Sequence, residues 1–235
     1  VTGQLLNLRH RGVSHWPAKT NRATTKTIRV ARLKHSGDWN PEPMADKALK
    51  LKMKNRAGIK LEIGDAIGIT DLPASGLKLA MLTGTKAVTF ESDEIAAMKT
   101  FVEGGGTILI DVAGGTGGKF GEVKPFARSV TTTLKEMFPG RRNKLRRLAV
   151  TSPLYAIDGN TINTVKYRMH TFLRVSDKSP QLGAIMVNRR PGILYSEMDL
   201  TAGLVGYSSL AVDGYTPDSA FKIVRNVILY TDSPE

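Results

Sequence analysis

Four carboxylates stand where this chain could do chemistry. Asp38, Asp111, Glu197 and Asp199 each come shortly after an apolar run with strand character. Two such acids at a suitable separation can work as general acid and base, or hold a divalent cation. A plainer role is local: Asp111 accepting from nearby backbone N–H groups, and Asp199 capping a short helix over residues 200–203. Asp111 has the most telling context, FVEGGGTILIDVAGGTGGK at 101–119. A helical segment ends in three glycines, an apolar run follows, and that run stops at the acid before a second glycine cluster. In an open α/β sheet this pattern places a carboxylate at the carboxyl end of a buried strand, where such sheets hold their ligands.

The other motifs that would name a reaction fail on inspection. A phosphate-binding loop needs G-x-x-x-x-G-K-[ST]. Here Lys119 follows Gly118, but Ala113 occupies the first glycine position and Phe120 follows the lysine. The dinucleotide pattern fails as well, because Gly115-x-Gly117 meets Phe120 at its third place. The nearest approach to a serine elbow, Gly206-Tyr207-Ser208-Ser209-Leu210, ends in leucine. The four histidines (His10, His15, His35 and His170) are scattered; His35, at the end of the first strand, either faces a site or is a hydrogen-bonded loop residue. No metal-ligand spacing occurs and there is no cysteine, so neither a metal nor a cofactor is expected.

The net charge of +13 is localised. Residues 1–34 hold eight basic side chains and no acid, and RRNKLRR at 141–147 holds five more, again with no acid. Arg141, Arg142, Lys144, Arg146 and Arg147 could grip phosphates of a polyanion, with affinity falling as salt rises. The segment lacks interleaved aromatics and a reading helix, so a solvated loop or partner-docking patch suits it better and nucleic acid is not the expected partner. No apolar run approaches the roughly 18 residues that span a bilayer, so this segment should not insert in a membrane.

The elements that must position the acids follow from periodicity. Residues 1–27 read as a basic arm or linker and 28–235 as a single α/β domain. Strands are expected at Ile28–Leu33, Ile59–Ile63, Leu77–Leu82 and Thr107–Asp111. Helices are expected at about Glu42–Asn55, capped near Asn40, at Ser92–Glu103, at about Val123–Met137 and at about Pro217–Tyr230. Short strands at Thr164–Tyr167, Leu182–Asn188 and Gly192–Ser196 follow, the last two joined by a turn over residues 189–192. Such alternation predicts a doubly wound, mostly parallel sheet with an antiparallel edge hairpin. Trp39, at the first strand's exit, suits a packing lid or a sugar-stacking platform.

Several strings together resemble a known family: RLKHSGDWNPEP (32–43), MLTGTKAVTFESDEIAAMKTFVEGGGTILID (81–111), SPLY (152–155) and GILYSEMDLTAGLVGY (192–207). They resemble the bacterial domain of unknown function 4159, over about residues 28–232. The resemblance implies a flavodoxin-like arrangement related to the class I glutamine amidotransferases, whose cysteine nucleophile this chain lacks. The matching blocks set Asp38, Trp39, Thr83, Gly84, Asp111, Tyr195, Asp199 and Tyr207 near strand ends as candidates for binding a small polar ligand. The family often occurs within longer, sometimes membrane-anchored chains, and this chain starts at Val1 rather than Met. Another domain of a longer parent chain is therefore an expected partner, and a soluble domain, extracytoplasmic or membrane-associated, the expected setting. Three readings of function result: a non-catalytic ligand-binding or protein-interaction module, a carboxylate- or metal-dependent hydrolase at the carboxyl edge of the sheet, or a polyanion binder.

Overall fold

The computed structural model describes residues 16–114, 125–140, 144–206 and 212–233. Its centre is a sheet whose first five strands in spatial order are parallel. They are β2 (Ile59–Ile63), β1 (Lys26–Lys34), β4 (Leu79–Gly84), β5 (Thr107–Val112) and β10 (Arg190–Ser196). Beyond β10 the sheet turns antiparallel through β9 (Gly183–Val187) and β6 (Arg146–Arg147). A short β3 (Ile67–Gly68) extends the pairing of β1, and β7 (Ala156–Ile157) and β8 (Asn160–Thr161) form a separate ribbon. Every residue of β4 and β5 is buried, as expected for central parallel strands covered on both faces.

Helices supply both covers. On one face lie α1 (Ala45–Lys52), α5 (Thr201–Val205) and α6 (Pro217–Asp232), packing Leu49, Leu204, Phe221 and Val224 into one core. On the other lie α2 (Ser92–Glu103) and α3 (Pro125–Met137), with Met98, Phe101, Phe126 and Leu134 in a second core. A short α4 (Met169–Phe172) buries only Thr171. This is a mixed α/β fold with a mostly parallel central sheet and an antiparallel hairpin.

Three local differences from the sequence reading have physical causes. The first helix starts at Ala45, not Glu42, with Met44 at its N-cap and no side-chain cap. Pro43 disfavours helical geometry at Glu42, so Asn40 lies too far upstream to act as the cap. That helix runs on as a π turn over Met53–Ala57 and closes at Gly58. The hairpin turn is Asn188-Arg189, both left-handed at φ 50° and 67°, the two-residue geometry that matches strand twist. Arg190 and Pro191 instead belong to β10, with an irregularity in register between Pro191 and Ile193. Thr164–Tyr167 forms no strand; Tyr167 makes one isolated bridge, to Tyr215.

Candidate functional site

The carboxyl edge is built around α5. Five residues are too few to hold a helix on their own, and its first N–H groups need acceptors. Asp111, from the end of β5, accepts from Leu200 N through Oδ1 (2.9 Å) and from Thr201 N through Oδ2 (3.1 Å). Asp199 accepts from Ala202 N (2.7 Å) and the Thr201 hydroxyl (3.1 Å) through Oδ1, and from Gly114 N (2.8 Å) through Oδ2. At the other end of α5, Lys52 Nζ donates to the Leu204 carbonyl at 2.7 Å. Negative groups at the N-terminus and a cation at the C-terminus both complement the helix dipole. Gly203 completes the fit, because a Cβ there would stand 2.6 Å from the Ala220 Cβ on α6. Asp111 and Asp199 are each 1% exposed. Burial, and then the neighbouring Asp199 charge, push the Asp111 carboxyl above its ordinary value, while the Leu200 and Thr201 donors pull it down. Burial, reinforced by Arg56, pushes Lys52 down to about 8.

A second pair of loops meets where strand order reverses, between β1 and β4. In doubly wound sheets that crevice is where ligands bind. Here the two loops bond to each other: Thr85 N and Lys86 N donate to the Gly37 carbonyl at 3.2 and 3.1 Å, and the Thr85 hydroxyl donates to Asp38 Oδ2 at 2.6 Å. Asp38 takes a left-handed backbone at φ 62° to make this turn. His35 accepts from Gly37 N at Nδ1 (3.0 Å) and places Nε2 2.8 Å from the Thr83 carbonyl, consistent with the neutral Nε2–H form. Burial holds this imidazole below its ordinary value. Its ring stacks on Phe126, which also fills the space a side chain at Gly84 would need. The Thr83 hydroxyl is buried and accepts from Arg32 Nη1 at 2.8 Å. Trp39 is half-buried beside this junction.

The other expected site residues separate. Tyr195 is buried in β10, and burial followed by the Glu197 charge pushes its phenol up. Glu197 is exposed just beyond the strand, and Tyr207 lies outside the described residues. Of the basic cluster, Arg141 and Arg142 also lie outside them, while Lys144, Arg146 and Arg147 are exposed. Arg147 pairs with Asp177 at 2.7 Å. Three cations near the amino end are likewise paired across the sheet or its helices: Lys26 with Asp232, Arg29 with Glu62, and Arg32 with Asp46. Part of the localised positive charge is therefore balanced by acids distant in sequence.

The profile of the family described as "Domain of unknown function (DUF4159)" matches residues 29–231. The chain belongs to this family. No curated protein matches it. Among solved structures, the mmIFT52 N-terminal domain is similar at 14% identity with a TM-score of 0.37, over 90% of this chain and 99% of that one. A likeness that loose assigns neither fold nor function. No helix among the described residues of this DUF4159 domain is long and apolar enough to cross a membrane.

The DUF4159 domain carries one surface feature that belongs to none of the motifs above. Met169, Phe172 and Leu173 are 66%, 54% and 74% exposed on and just after α4. Their i, i+3, i+4 spacing is that of a core-facing helix stripe, so the sequence hides their exposure. Buried bonds hold the segment to the carboxyl edge. The Thr171 hydroxyl donates to Asp213 Oδ1 at 3.1 Å and accepts from Gly214 N at 2.9 Å, while Arg168 N donates to the Gly214 carbonyl at 2.9 Å. Residues 213–215 in turn bond to Asp199: Asp199 N donates to the Asp213 carbonyl and Tyr215 N to the Asp199 carbonyl. His170 Nδ1 lies 3.0 Å from Asp213 Oδ1, which also pairs with Arg174.

Proposed function

We propose that this DUF4159 domain is a non-catalytic protein-interaction module whose contact surface is the apolar tip at Met169, Phe172 and Leu173. The observation that carries this reading is the exposure of three large apolar side chains on a segment clamped from behind by buried hydrogen bonds. Contiguous exposed apolar side chains with a polar surround mark interaction sites. The half-buried side chains of His170 and Arg174, gathered on the buried Asp213, supply a polar surround, which suits a protein partner. The carboxylate-dependent alternative would rest on Asp111 and Asp199, the two acids that converge. All four of their oxygens already accept hydrogen bonds from the protein, and both side chains are shut away from solvent.

The test is photo-crosslinking from a benzophenone side chain at position 172 in cells making the protein, paired with capture by the Phe172→Ser/Leu173→Ser variant. The reading predicts a crosslinked protein that the wild type retains and the double variant loses. Equal capture by both, or crosslinks to lipid alone, contradicts it.

A further inference from the structure

We propose that the amino edge of the sheet, opposite the apolar tip, binds a small organic anion with two acidic groups. An open cleft of about 890 Å³ lies there, within the usual range for small-molecule sites. Its floor comes from three adjacent strands. Lys78 immediately precedes β4, the Gly104–Gly106 turn leads into β5, and Arg190 begins β10. Since β4, β5 and β10 are neighbours, the two cations stand on either side of the glycine turn, two strand spacings or roughly 10 Å apart at the backbone. Phe101 and Tyr230 add apolar walls from opposite faces of the sheet.

The described lining of the cleft carries charge of one sign. Among the described residues lining it there is no Asp or Glu, while Lys78 and Arg190 both reach it. Arg190 is oriented from beneath: its Nη2 donates to the hydroxyl of Thr107 at 2.9 Å, and Thr107, fully buried, donates in turn to the Pro191 carbonyl at 3.0 Å. Gly105 leaves room beside the guanidinium, because a Cβ there would stand 3.0 Å from Arg190 Nη1. A planar fork held in place and a flexible ammonium opposite it would together recognise a pair of acidic groups on one ligand. Phosphate and carboxylate share this chemistry.

The cations could also serve the fold alone, since α2 and α6 both end at this cleft without a basic residue in their last turns. Calorimetry and amide NMR separate the two roles, with pyrophosphate as the phosphate probe and glutarate as the carboxylate probe. The proposal predicts that one probe saturably shifts the amides of Gly104–Gly106, and whichever responds identifies the acid class. Lys78→Gln and Arg190→Gln should each weaken that binding by about tenfold or more, while Lys99→Gln, outside the cleft, leaves it unchanged. The exposed side chain of Lys78 keeps its variant folded even if the Arg190 variant is damaged. The proposal fails if neither probe shifts these amides. It fails equally if Lys78→Gln binds as the wild type does, or if the variants only lower the melting temperature.

Discussion

At the carboxyl edge of the sheet, acids point inward onto a five-residue helix; at the amino edge, two cations line an open cleft. The first edge has the residue types that suggest catalysis, yet the oxygens of Asp111 and Asp199 are occupied by backbone and hydroxyl donors. The second carries no recognisable motif, yet it has volume, a uniform sign of charge among its described lining residues and an oriented guanidinium. The difference shows that a carboxylate at a strand end is not a site until the donors around it are counted. A buried helix N-terminus can absorb a pair of acids as fully as a metal could.

Four variants or conditions sharpen this contrast. Asp111→Ala should be the most damaging, since it leaves the N–H groups of Leu200 and Thr201 buried without their acceptor. About 2–5 kcal/mol of stability should be lost, read by urea denaturation. Gly203→Ala should cost about 1–3 kcal/mol, because the added methyl meets Ala220 where α5 and α6 pack closest.

The pH dependence comes next. Asp111 has its folded-state value raised, so the native protein keeps a proton that the unfolded chain has already released. This contribution is present in full below the ordinary aspartate range near ~4 and is lost as pH climbs through the raised folded value. The wild-type urea midpoint should therefore fall between about pH 4 and about pH 7, and Asp111→Asn should flatten that fall. The smallest effect belongs to the other edge. Lys78→Gln should leave stability within about 0.5 kcal/mol of wild type, measured by the same denaturation.

Much of the scaffold was legible because its signals are local. IKLEI forms β2 with the expected bounds, and Ser92–Glu103 forms α2, with Glu91 and Glu94 closing a reciprocal cap at its start. The position of Asp111 at the end of a buried strand was equally plain. Its task was one of two open readings, and the bonds to Leu200 and Thr201 match the plainer one, although the sequence TAGLV announces a five-residue buried helix only weakly. Lys52 gave no signal that its ammonium would reach the far end of that helix. The tip misled for a different reason, because Met169, Phe172 and Leu173 carry the spacing of a core stripe and only tertiary structure turns it outward. Lys78, Gly105 and Arg190 are far apart in the chain, so their convergence becomes visible only once strand order is known.

The central claim is that the carboxyl-edge acids fasten α5 and its flanking loops. Amide hydrogen exchange at Leu200, Thr201 and Ala202, compared between wild type and Asp111→Asn, tests it most directly. The asparagine can accept through one oxygen only, so at least one of the Leu200 and Thr201 amides should exchange markedly faster, while β4 and β5 keep their protection. Unchanged protection at both amides would contradict the claim and return Asp111 to the list of residues available for chemistry.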